Sequence, residues 1–113
     1  MCEILHYLTP DGRDPFQDWL IALADRMAKA RIAARVQRLA AGNPGDTKPV
    51  GGGVWELRVD QGPGYRVYYA QAGGRWLLLL LGGDKRRQQQ DIDTALSYWR
   101  DWQRRNHESL PNP

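Results

Sequence analysis

Val54-Trp55-Glu56-Leu57-Arg58-Val59-Asp60, then Gln61-Gly62-Pro63-Gly64, then Tyr65-Arg66-Val67-Tyr68-Tyr69-Ala70-Gln71, reads as two strands joined by a tight turn. Side chains alternate along each strand, so Glu56 and Arg58 share one face while Trp55, Leu57 and Val59 take the other. On the second strand Arg66 and Tyr68 lie together, opposite Tyr65, Val67 and Tyr69. A short turn centred on Gly62 pairs Asp60 with Gly64. That register sets Arg58 across from Arg66 and Glu56 across from Tyr68. Two arginines facing each other on a sheet repel, unless an anion comes between them or Glu56 neutralises one.

Working outward, Gly73-Gly74 makes a second turn before Arg75 to Leu81, an apolar run suited to a strand covered on both faces. The three strands form a meander, with Gly51-Gly52-Gly53 as a flexible lead-in and Gly82-Gly83-Asp84-Lys85 as the corner that ends it. Glu3 to Leu8 reads as a further short strand, Ile4 and His6 on one face, Leu5 and Tyr7 on the other. Asp14-Pro15 opens a helix, as N-cap and first helical residue, with Phe16, Trp19, Leu20 and Leu23 on its buried stripe. A second helix over Asp25 to Ala41 buries Ala28, Ile32, Val36 and Leu39 and stops at Gly42-Asn43-Pro44-Gly45. Gln88 to Arg105 forms the last helix, burying Ile92, Ala95, Leu96, Trp99 and Trp102. The expected fold class is α+β, in the order β-α-α-β-β-β-α: an antiparallel sheet packed against a helical hairpin and a C-terminal helix. One domain over residues 1–105 and a flexible tail over 106–113 complete the expectation.

With 113 residues, 42% hydrophobic and 26% charged, the composition is that of one ordinary globular domain and excludes wholesale disorder. A lone cysteine, Cys2, excludes an internal disulfide, and no Cys/His cluster suggests a metal site. No signal peptide is legible, and the apolar run from Trp76 to Leu81 is far short of the roughly 20 residues a bilayer requires. A cytoplasmic protein with no membrane partner is therefore expected. The net charge is +3, but the distribution says more. From Lys48 to Arg87 seven cations face three anions, in the part that reads as sheet. Such a surface favours polyanions. Arg31, Arg35 and Arg38 add a cationic row on the outer face of the second helix.

Cleaving a phosphodiester requires cations around the phosphate, where charge builds in the transition state, and groups that take and give protons at the two oxygens. Arginine suits the first role through its planar fork of donors. Lysine, tyrosine or a carboxylate can transfer protons, so histidine is not required. His6 and His107, in an edge-forming strand and in the tail, are not read as an acid–base pair. Lys48, Glu56, Arg58, Arg66, Tyr68 and Lys85 are the candidate set. On the residues alone a nuclease and a plain nucleic-acid binder both fit.

Several stretches recur together in one family. They are Asp14-Pro15-Phe16 with Trp19-Leu20, Gly42-Asn43-Pro44-Gly45-Asp46, Lys48-Pro49-Val50, Val54-Trp55-Glu56-Leu57-Arg58, Gly62-Pro63-Gly64-Tyr65-Arg66-Val67-Tyr68-Tyr69 and Leu80-Leu81-Gly82-Gly83-Asp84-Lys85. Over residues 3–102 the chain resembles the RelE/ParE toxin superfamily, in its HigB-like addiction-module killer branch. The resemblance implies the toxin of a type II toxin–antitoxin system: a ribosome-dependent mRNA endoribonuclease (an mRNA interferase) that uses the 2′-hydroxyl as nucleophile, needs no metal or other cofactor, and arrests translation and growth. It further implies a cognate helix-turn-helix antitoxin as partner, with the ribosome and mRNA as targets and operator DNA reached only through the antitoxin complex. By the same resemblance Arg58 and Arg66 bind the phosphate, Lys48 or Lys85 handles protons or further charge, and Tyr68 positions or stacks the base. Glu56 is read as a substrate contact or general base, or equally as a structural partner for Arg58 or Arg66, and the Arg31, Arg35 and Arg38 row as a solvated face or a contact for ribosomal RNA. The chain departs from the family where some members carry a tyrosine just after the last strand. Residues Asp84 to Gln90 contain none, nor is there a counterpart to the site histidines of other HigB-type toxins. A ParE-like toxin that poisons DNA gyrase without cleaving, and an inactive antitoxin-binding module, stay open as alternatives.

Overall fold

In a computed structural model, which describes residues 2–106, the elements run β1 (Glu3–His6), α1 (Pro15–Ala22), α2 (Arg26–Ala40), β2 (Thr47–Gly51), β3 (Val54–Val59), β4 (Tyr65–Ala72), β5 (Trp76–Asp84), a 3-10 turn (Lys85–Arg87) and α3 (Gln88–Asn106). The five strands make one sheet in the order β1-β5-β4-β3-β2. The α+β class and the hairpin-plus-helix arrangement are those expected, and the caps are local. Asp14 accepts from Gln17 N at the head of α1, and Asp25 accepts from Met27 N and Ala28 N at the head of α2. The α1–α2 hairpin covers one face of the sheet through Phe16, Ala28, Ile32 and Val36 against Leu57, Val59, Val67, Leu77 and Leu79. Helix α3 covers the other through Ala95 and Trp99 against Tyr7, Val54, Ala70, Ala72, Leu78 and Leu80.

Three features differ from expectation. First, the sheet is mixed: β1 runs parallel to β5, with Ile4 opposite Leu77 and His6 opposite Leu79. A parallel neighbour brought back by two intervening helices leaves no mark in the local pattern. Second, residues Thr47 to Gly51 are an edge strand, paired antiparallel to β3. Its proline and glycine hide it from pattern reading, and an edge is where a strand tolerates Pro49. Gly52 and Gly53 form its turn at φ of 61° and 91° rather than a loose lead-in. A side chain at either would collide with Leu96 or Trp99 of α3. Third, Gly82, Gly83 and Asp84 continue β5 instead of ending it. A register shift between Tyr68 and Tyr69 resets the alternation of β5. Gly82 then lies against the Trp19 indole of α1 and Gly83 against the Asp91 carboxyl of α3. Both glycines are buried because neighbours on opposite faces fill the space a Cβ would take.

The C-terminal end of α3 is tied to Tyr7, the residue that follows β1. Tyr7 Oη donates to Asp101 Oδ2 at 2.6 Å, Tyr7 stacks on Tyr98, and Arg105 pairs with Asp101 at 2.6 Å. Burial, then the carboxylate it bonds, pushes the Tyr7 hydroxyl up to about 12. Asn106, the first residue of the expected tail, is the last of this helix; residues 107–113 lie outside those described. Among the described residues no helix is long and apolar enough to cross a membrane.

Candidate functional site

The register of the central hairpin is the one its turn predicts: Arg58 lies directly opposite Arg66, and Glu56 opposite Tyr68. All four belong to the face covered by α3. This helix packs closely over the apolar end of that face and leaves a groove at the other. Asp46, Arg58, Val59, Asp60, Gly64, Arg66 and Lys85 line the groove, which holds about 260 Å³. Three of the candidate cations thus converge. Lys85 arrives at the start of the 3-10 turn, where its backbone N donates to Gly64 O at 3.3 Å.

Lys48 does not line the groove. It is exposed on β2, opposite Glu56 and at the edge of the same face. Glu56 and Tyr68 lie beneath the groove, both at 0% exposure. Both were expected as substrate contacts; here α3 and the surrounding side chains cover them, and neither the Glu56 carboxyl nor the Tyr68 ring is exposed to the groove. Burial, then the neighbouring Glu56 and Asp91 carboxyls, pushes the Tyr68 hydroxyl far above its ordinary range, against the pull of Arg66. Its oxygen, like Glu56 Oε1 and Arg66 Nε, has no hydrogen-bond partner among the described residues.

Each arginine has a carboxylate. Arg58 donates from Nε and Nη2 to Asp46 Oδ1 at 3.1 and 2.9 Å, while its backbone N donates to Asp46 O at 2.9 Å. Arg66 Nε lies 3.3 Å from Glu56 Oε1, within ion-pair reach but without hydrogen-bond alignment. The second oxygen of Glu56 accepts from Gln88 Nε2 at 2.8 Å. One turn along α3, Asp91 is also buried. Burial raises its carboxyl above the usual range, Asp84 pushes the same way, and Arg87 opposes both.

The arginine row on α2 divides. Arg35 is a fastener: Nη1 donates to Arg58 O at 3.0 Å and Nη2 to Pro44 O at 3.4 Å. Arg31 and Arg38 are exposed, and with Arg35 and Asp60 they line a second hollow of about 490 Å³. Asp60 borders both hollows. His6 stands away from the groove, bonded through Nδ1 to the helix cap Asp14 at 2.6 Å; His107 lies outside the described residues.

Asp46, Gln88 and Asp91 are the participants that sequence reading passed over. Asp46 sits in a Gly-Asn-Pro-Gly-Asp turn and Gln88 in a run of three glutamines, both ordinary surface patterns. The nearest thing to a signal was the demand of Arg58 and Arg66 for counter-charge.

A mixed five-stranded sheet between a helical hairpin and a C-terminal helix, with opposed arginines over one end, is an arrangement consistent with the RelE-like fold. The family model described as "Phage derived protein Gp49-like (DUF891)" matches residues 18–99. The chain belongs to this Gp49-like family, which is of the RelE/HigB toxin type. It is also 50% identical over 80 residues to a protein of Haemophilus influenzae (strain KW20/Rd) that is itself called uncharacterized. The match covers 71% of this chain and 81% of that relative.

Proposed function

We propose that residues 1–105 form one toxin domain of the HigB-like branch, which cleaves mRNA on the ribosome and so arrests translation. The observation that carries this reading is the convergence of Arg58, Arg66 and Lys85 on one groove, two of them directly opposed across a strand pair. A phosphate seated there meets two guanidinium forks and an ammonium group, the arrangement that stabilises a phosphorane-like transition state. In the proposed step the substrate's own 2′-oxygen bonds to phosphorus as the bond to the 5′-oxygen breaks. The 2′-hydroxyl gives up its proton to solvent water and the departing 5′-oxygen gains one. Lys85 is the groove's candidate for the second transfer. Lys48 and the Arg31/Arg38 pair extend the cationic surface toward the flanking RNA. The proposed partners are a helix-turn-helix antitoxin, which alone reaches operator DNA, and the ribosome with its mRNA in the cytoplasm.

Induction of the protein alone, with mRNA 5′ ends mapped on translating ribosomes, tests the reading. Cuts at A-site codons should appear and should vanish with Arg58→Ala. That variant is cleaner than Arg66→Ala, which strands the buried Glu56 carboxylate and is expected to destabilise the fold by about 3 kcal/mol or more. Growth arrest with intact mRNA and inhibited supercoiling would instead favour gyrase as target. No arrest would leave an antitoxin-binding module.

A further inference from the structure

The carboxylates serving the two arginines occupy contrasting positions. Asp46 and Arg58 form an exposed pair, their side chains 55% and 40% accessible. Exposed pairs add between nothing and about 1 kcal/mol, so an arriving anion can displace one. Asp46 Oδ1 also covers the Nε–Nη2 edge of Arg58, one of the guanidinium edges that can bind phosphate in bidentate fashion. The backbone around this pair is held independently of the carboxylate. Arg58 N donates to Asp46 O, and Arg35 spans Pro44 O and Arg58 O. The Asp46 side chain can therefore leave without the loop following.

Glu56 is the opposite case. It is wholly buried, one oxygen facing Arg66 Nε and the other bonded to Gln88 at the first residue of α3. A buried carboxylate stripped of its partner is costly, so Glu56 holds Arg66 in place. With Nε buried against Glu56 and the side chain 16% exposed, what Arg66 offers the groove is its terminal nitrogens.

We infer that Asp46 is an exchangeable stand-in for the substrate phosphate on Arg58, while Glu56, held by Gln88, is a fixed positioning residue that aims Arg66. The inference rests on the groove being a polyanion site. It requires that removing the two carboxylates, one charge each from the same site, act in opposite directions.

The test is binding of a 2′-O-methyl single-stranded RNA oligonucleotide, which cannot be cleaved, to the free protein at low salt. Asp46→Asn should bind about two- to fivefold more tightly, the range expected when a weak exposed competitor is removed. Asp46→Glu, which restores the competitor, should match the wild type. Glu56→Gln should bind about tenfold more weakly, Gln88→Ala by a smaller factor in the same direction, and the exchange Glu56→Gln/Gln88→Glu should recover part of the loss. Side-chain 15N spectra supply a second readout. Oligonucleotide should shift the Arg58 Nε–H signal and leave that of Arg66 in place, whereas Glu56→Gln should move the Arg66 signal without any ligand. Should Glu56→Gln fail to fold, Gln88→Ala and the exchange carry that arm. Oligonucleotide binding by the wild type with no gain in Asp46→Asn overturns the stand-in role. Unchanged binding in a folded Glu56→Gln overturns the positioning role. Both outcomes leave the groove reading standing. A wild type that binds no oligonucleotide overturns that reading and the inference together.

Discussion

The two faces of the sheet are made by the same strands and solve different problems. Against the α1–α2 hairpin, β3 presents Leu57 and Val59 and β4 presents Tyr65, Val67 and Tyr69; the buried cluster there holds no charged side chain, and the Tyr69 hydroxyl bonds Thr47. Against α3 the same strands present Val54 and Ala70 at one end but Glu56, Arg66 and Tyr68 at the other, where Gln88 and Asp91 come down from the helix. An apolar face requires only shape and hydrophobicity. A polar one is where chemistry can be placed, and its short polar tips can turn aside where a packed ring cannot.

Adjacent glycines offer the strongest test of that contrast. Gly82→Ala drives a methyl group into the Trp19 indole, which is rigid and packed; a loss of about 3 kcal/mol in chemical denaturation is expected. Gly83→Ala meets only the tip of Asp91, which can rotate away, and should cost about 1 kcal/mol. Equal costs would break the comparison. Next, Leu57→Ala, at a wholly buried hairpin-face position, should cost about 3 kcal/mol while leaving oligonucleotide binding unchanged in the folded protein. Weakened binding would show that the faces are not separable.

Smaller effects sharpen the α3 side. Tyr7→Phe removes a hydrogen bond to a carboxylate at the far end of α3 and should lower stability by about 1.5 kcal/mol, with the groove arginines' spectra unmoved. Asp91→Asn should have the least effect and the opposite sign. Burial raises the Asp91 carboxyl, so the folded state binds its proton more tightly than the unfolded chain does, where the value is near 3.8. The stability tied to that proton is present below the unfolded value and is lost as pH rises through the raised one. At neutral pH the asparagine variant should therefore melt a few degrees higher than the wild type, and the difference should close below about pH 4. A lower melting temperature at pH 7 would mean that the ionised carboxylate is held by Arg87 strongly enough to outweigh its burial.

The fold was legible wherever short-range rules operate. Asp14-Pro15 and Asp25 cap their helices as such residues do, and the alternation of β3 and β4 with a turn at Gly62 placed Arg58 against Arg66. Those relations span few residues and depend on backbone geometry alone. Strand β2 was not legible, because Pro49 and Gly51 suppress the alternation that marks a strand, and only pairing with β3 makes it one. At the groove, the sequence by itself determined that two arginines face each other and that counter-charge must be found. Only the tertiary structure decided which carboxylate goes to which arginine, that Glu56 and Tyr68 are buried under α3, and that Lys48 stays at the edge. The reason is physical: burial and partner choice follow from where a distant helix lands, and Gln88 meets Glu56 from 32 residues away in the chain.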